Sequence, residues 1–230
     1  MRELVYFAAV VVGSLGGGVL AGCGAIWVIN HVPASWLTDY GEEPSDRVVS
    51  ADRQRVPGMP WKWVLSASFA VVGIYMGCTG WQYEAAGLAA CWVLVLIAVA
   101  DGLFLIIPDQ FVLLLALTGI GFLPLGSGLI SMIAGLGAGG GAMLLIWAVS
   151  RAIAGRDAMG FGDVKLCAAA GLALGCRGAL FMLVAGTFAC GIFAAVRLAG
   201  KRAKRRDHVP MGPFLCGAAA LYIVVVHAFL

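Results

Sequence analysis

The sequence predicts an all-α, polytopic membrane helix bundle of about eight transmembrane helices, and three observations carry that expectation. Of the 230 residues, 62% are hydrophobic and only 12% are charged, about half the charged share of an ordinary soluble domain. The mean hydropathy is +0.98. Between polar interruptions the apolar runs repeatedly approach the roughly 20 residues that a helix needs to cross a ~30 Å hydrocarbon core. The ten-residue alternating segments of a membrane β-barrel do not occur.

Taken in chain order, the spans fall at 4–30, 61–79, 85–107, 110–125, 128–149, 164–176, 178–199 and 212–229. The first contains 20-LAGC-23, which matches a lipoprotein cleavage box. Its apolar run nevertheless continues through 24-GAIWVI-29, so it reads as a retained span. Segment 31–60, with prolines at 33, 44, 57 and 60, is the one sizeable polar stretch. It reads as a loop, which divides the chain into a first helix plus loop over 1–60 and a membrane domain over 61–230. The sixth span is short, and 175-GCRG-178 joins it to the seventh as a hairpin.

Basic residues orient the bundle, because Lys and Arg collect in cytoplasmic loops. Arg47, Arg53, Arg55 and Lys62 lie in or beside the 31–60 loop, Arg151, Arg156 and Lys165 around 150–163, and 200-GKRAKRRD-207 follows span seven. With eight spans all of these share one side, and of the 15 basic residues only Arg2 and Arg177 fall opposite. That side is expected to be cytoplasmic, with both termini outside. Basic residues confined to short loops give no nucleic-acid footprint. The run 201-KRAKRR-206 reads instead as a contact for anionic membrane lipids.

Two glycine clusters, 13-GSLGGG-18 and 135-GLGAGGG-141, lie inside spans. The second holds a literal GxGxxG at Gly135, Gly137 and Gly140. A dinucleotide fingerprint needs a preceding strand, whereas small residues within a span let helices approach closely, so helix packing is the reading. The seven cysteines form no CxxC pair. They read as small buried hydrophobes, and no metal site is expected.

Chemistry points to the acids. A carboxylate at mid-bilayer is unfavourable by at least ~2.5–3.5 kcal/mol and usually functional. Asp101 lies in 91-CWVLVLIAVADGLFLIIP-108, about two turns from its cytoplasmic end, and Asp163 opens the sixth span within 160-GFGDVKL-166. Taken singly, Asp101 could hydrogen-bond a neighbouring helix and Asp163 could cap a helix N-terminus. Facing each other, the two cannot both ionise cheaply and would share a proton, the arrangement in which one carboxylate activates water while the other polarises a carbonyl. Gly160 and Gly162 would free the backbone for a turn that admits a substrate strand. Asp109, after Pro108, suits capping of span four and is the rival for the first aspartate. Lys165 either pairs with the aspartates or the substrate, or snorkels to the interface.

These residues resemble a known family. The chain looks like a type IV prepilin peptidase, a GxGD membrane aspartyl protease. The stretch 101-DGLFLIIPD-109 is similar to the family's Asp-x6-Pro-Asp segment, 160-GFGDVKL-166 to its GxGD-x-K-L segment, and 210-PMGPFL-215 to its P-x-G-P-x-L element. The resemblance covers roughly 85–230 and implies that Asp101 and Asp163 are catalytic. It also implies an endopeptidase of the bacterial inner membrane that cuts leader peptides at the cytoplasmic face. The implied partner is a prepilin or pseudopilin with a basic leader followed by a hydrophobic helix, as found in type IV pilus and type II secretion systems. No cofactor is implied for cleavage.

The N-terminal third departs from the family. Where its first span typically ends G-S-x-x-N-x-x-x-x-R-x-P, 22-GCGAIWVINHVP-33 has Ile26 and His31 at the Asn and Arg places. The loop 31–60 holds no cysteine, so the zinc-binding CxxC pairs of many members have no counterpart. S-adenosylmethionine would be needed only for methylation of the new pilin N-terminus, and these departures point away from that activity. Two other classes fit the same acids: a proton-coupled transporter, and a non-catalytic assembly component of a secretion apparatus. A transporter would be expected to show two related halves, and no internal repeat is visible.

The charge pattern predicts that reporter fusions near residues 45, 155 and 203 read as cytoplasmic, and those near 81, 126 and 177 as external. Opposite readings at 155 and 203 would remove the hairpin of spans six and seven.

Overall fold

The computed structural model describes residues 1–38, 55–79, 81–125, 128–154, 160–200 and 209–226. Among them every regular element is helical: α1 (Arg2–His31), α2 (Trp61–Thr79), α3 (Trp81–Phe104), α4 (Asp109–Thr118), α5 (Gly128–Ala154), α6 (Phe161–Ala199) and α7 (Gly212–Leu221). A 3-10 stretch, Gly119–Leu125, extends α4, and a π-helical turn, Tyr222–Val226, extends α7. The chain is an all-α, polytopic membrane helical bundle. Five helices are long and apolar enough to cross a membrane, and Asp109–Phe122 and Gly212–Val225 are shorter apolar helices. The basic run 201–206, most of the polar loop and residues 155–159 lie outside the described residues.

The chain divides into two compact units, Met1–Trp92 and Val93–Phe229. In the first, α1 and α2 meet along small residues. Ser14, Gly18 and Gly22 recur every four positions on α1 and are buried. A Cβ on Gly18 would lie 2.7 Å from both the Ser66 carbonyl oxygen and the Ala70 nitrogen, and one on Gly22 would run into the backbone of Ser66. Lipid tails are as apolar as leucine, so such helices associate through close van der Waals contact rather than hydrophobic expulsion. At the end of α1, Asn30 accepts from the Val56 N–H (2.9 Å) and donates to the Val56 carbonyl (3.1 Å). Arg55 donates to the carbonyls of Ile29 and Val32, oxygens that a helix C-terminus leaves without partners.

In the second unit α5 packs on α6 by the same device. A Cβ on Gly135 would collide with the Gly171 carbonyl and the Gly175 backbone, and one on Gly139 with the Cys167 carbonyl, whereas Gly137 has nothing within 4 Å. The GxGxxG is thus a packing surface, read through the four-residue spacing of Gly135 and Gly139.

Helix α6 is folded back on itself. Gly175 has φ 71° and ψ −179°, a conformation open to glycine and hardly to any other residue. The space beside Gly139 is bounded by Cys167 on one side of Gly175 and by Ala179 on the other. Two residues twelve apart on a straight helix would be separated by about 18 Å, so the chain reverses here. The expected hairpin exists, with its turn at Gly175.

Gly135→Ala is expected to destabilise the protein by about 1–3 kcal/mol through overpacking, and Gly137→Ala to leave it unchanged. Thermal unfolding in detergent measures both.

Candidate active site

Asp101 and Asp163 are the only buried acidic side chains among the described residues, 7% and 8% exposed. Asp101 continues the buried stripe of α3 formed by Val93, Leu94, Ile97 and Ala100. Asp163 sits in the first turn of α6, whose N-cap is Gly160, among buried Val164, Leu166 and Cys167. Both belong to the same compact unit, Val93–Phe229.

The two carboxylates are held differently. Asp101 Oδ2 accepts a hydrogen bond from the backbone N–H of Gly212 at 2.8 Å, at the first residue of α7. A Cβ on Gly212 would lie 2.6 Å from that same oxygen, and one on Gly102 would meet Pro213 at 3.7 Å. Gly212 therefore contributes both a donor and the space to deliver it. Asp163 Oδ1 is buried with no hydrogen-bond partner among the described residues, and its helix start has no side-chain cap. A buried polar atom left unpaired is unfavourable by roughly 1–3 kcal/mol unless a proton or a ligand meets it.

The chain between α3 and α4 lies alongside. Leu105 takes a left-handed conformation, φ 58°, and its N–H bonds the Asp101 carbonyl at 2.9 Å. A non-glycine residue there is strained by roughly 1–2 kcal/mol. The turn brings Ile107 against Gly162, where a Cβ would meet it at 3.2 Å. Gly162 thus matters for space. Gly160 has ordinary extended angles, φ −67° and ψ 139°, so neither glycine is needed here for unusual backbone angles. Pro108 is the N-cap of α4 and Asp109 its first residue, where a negative charge suits the helix dipole. Both oxygens of Asp109 accept from Lys165 Nζ, at 2.8 and 2.9 Å. From the sequence Lys165 is expected on the Asp101–Asp163 pair, the substrate or the interface; its partner is Asp109 instead.

Gly212 is the residue that sequence reasoning passed over. The 210-PMGPFL-215 element carried the signal, since a glycine before a proline at a helix start allows close approach, but nothing in it names Asp101 as the acceptor. No three His, Cys, Asp or Glu side chains cluster as a metal site among the described residues.

Ionisable side chains enclosed in a helical membrane bundle are rare, and here two carboxylates lie buried in one compact unit. Residues 88–195 match the Type IV leader peptidase family, an interval that contains Asp101, Asp163 and Lys165 but ends before Gly212. The chain is 30% identical over 161 residues to the prepilin leader peptidase/N-methyltransferase of Aeromonas salmonicida, covering 66% of this chain and 53% of that protein. It is 26% identical over 158 residues to the protein of that name in Xanthomonas campestris pv. campestris, with the same shares covered. To the Neisseria gonorrhoeae protein it is 30% identical over 156 residues, 63% of this chain and 52% of that one. The chain spans about half the length of these curated relatives. No solved structure matches it significantly. This is a membrane protein related to the prepilin peptidase family.

Gly212→Ala is expected to destabilise the protein by about 1–3 kcal/mol by forcing a methyl against Asp101. In an Asp101→Ala background the same change should be close to neutral. Gly217→Ala, where nothing lies within 4 Å, is the control, and thermal midpoints in detergent read all three.

Proposed function

We propose that the chain is a membrane-embedded aspartyl endopeptidase that removes leader peptides from type IV prepilins or pseudopilins. The observation that carries this reading is the two buried aspartates, Asp101 and Asp163, on chain segments tied together by Lys165–Asp109 and Gly162–Ile107, inside the interval matching the leader peptidase family. In the proposed mechanism the two carboxylates share one proton. The ionised one takes a proton from water as that water attacks the scissile carbonyl carbon. The protonated one donates to the carbonyl oxygen, and the resulting diol collapses as the amide nitrogen is protonated. The Gly212 amide on Asp101 Oδ2 and the absence of a donor to Asp163 Oδ1 among the described residues make the two carboxylates unequal, as distinct acid and base roles need.

The finer assignments belong to the same proposal. Residues 61–230 form the peptidase domain, and Gly160, Gly162, Pro108, Asp109 and Lys165 shape the site. Counting the two arms of α6 and the two shorter apolar helices gives eight crossings. Both termini then lie in the periplasm, and the aspartates sit near the cytoplasmic face of a bacterial inner membrane. The substrate's hydrophobic helix lies beside the bundle, leaving its basic leader in the cytoplasm. The relatives' names pair peptidase with N-methyltransferase. Ile26 and His31 stand where the family has Asn and Arg, and the loop 31–60 holds no cysteine, so methylation is not included.

Asp101→Asn and Asp163→Asn are each expected to lower cleavage of a prepilin in membranes by at least ~10²-fold, the usual effect of losing a general acid or base. A gel-shift assay of leader removal measures it. Wild-type rates in either variant would refute the assignment.

A further inference from the structure

We propose that Lys165 and Asp109 form a positioning strap that sets where Asp163 stands relative to Asp101; this rests on the peptidase reading above. Lys165 Nζ lies 2.8 and 2.9 Å from the two oxygens of Asp109. The side chains are 37% and 44% exposed, and ion pairs so exposed contribute little to stability. What this pair does is geometric. Asp109 begins α4 at the end of the strained turn that leaves Asp101. Lys165 lies two residues beyond Asp163 on the first turns of α6. The strap therefore ties together the two chain segments that carry the carboxylates.

Three contacts extend it. Lys165 Nζ sits 5.7 Å from the centre of the Phe161 ring, two residues before Asp163. Phe161 meets Trp147 of α5 edge-on at 5.6 Å. Gly162 rests over Ile107, two residues before Asp109. Asp163 is thus bracketed by anchored residues on both sides, while among the described residues its own Oδ1 has no donor to orient it. A carboxylate without its own hydrogen-bond anchor takes its position from the backbone, and the strap fixes that backbone. Engaging Lys165 with Asp109 also keeps the ammonium off the aspartates, where it would favour ionising both.

The test uses purified full-length protein in lipid, with kinetics of prepilin cleavage and hydrogen–deuterium exchange of segments 105–111 and 161–167. Lys165→Met and Asp109→Asn are each expected to lower kcat about 10–100-fold, the scale on which small misplacements act, with KM and thermal midpoint little changed. The double variant should be no slower than the slower single, because both changes break one bond, and Lys165→Arg should keep most of the activity. Exchange should rise in both segments in either single variant. Losses that multiply in the double variant would overturn the strap. So would an inactive Lys165→Met beside an unaffected Asp109→Asn, since Lys165 would then act on the substrate. If the wild type cuts no prepilin, the peptidase reading fails by itself and exchange decides: a rise in both segments upholds the strap, and none overturns it.

Discussion

Two carboxylates enclosed by apolar side chains must be matched by donors, by a proton or by each other, and the second unit is arranged around that requirement. Asp101 is matched from outside its own helix by the Gly212 amide. Asp163 Oδ1 is matched by no donor among the described residues. The difference is chemically useful because a symmetrical pair gives no reason for the proton to favour one side. A backbone N–H cannot titrate or rotate away, so it imposes the asymmetry at any pH at which the helix is folded.

Close approach is the second theme, and glycine supplies it in both units. Gly18 and Gly22 bring α1 onto α2, and Gly135 and Gly139 bring α5 onto both arms of α6. Gly162 and Gly212 apply the same absence of a side chain at the site, one against Ile107 and the other against Asp101. The scaffold and the site thus share one packing principle. In a medium without hydrophobic drive, contact distance between backbones replaces burial as the source of cohesion.

Much of this was legible in the sequence because the signals are intrinsic to single segments. Hydropathy and punctuation place α2 over 61–79, as the structure has it. A charged residue in an apolar run marked Asp101 and Asp163 before any geometry was known. The glycine cluster around 175 located the reversal of α6. What was not legible depends on partners distant in sequence. The amide of Gly212 is 111 residues from the oxygen it serves and has no side chain to advertise it. Lys165 had several carboxylates within conceivable reach, and only the fold selects Asp109. Gly162 looked like a provision for backbone freedom but provides room. At the end of α1, Asn30 and Arg55 hold the helix terminus, although Arg55 comes from across the loop, where no local motif could have pointed to it.

The reversal at Gly175 has a consequence for the lipid as well as the protein. The arm of α6 that starts at Phe161 and ends at the turn has about 14 residues, so it rises about 21 Å. That is roughly a third less than the ~30 Å hydrocarbon layer, whereas its neighbour α5 runs 27 residues. A short helix beside long ones produces mismatch, which bilayers relieve by thinning locally. The first arm of α6 shares this shortness with the two apolar helices Asp109–Phe122 and Gly212–Val225, so the second unit combines full-length and short apolar segments.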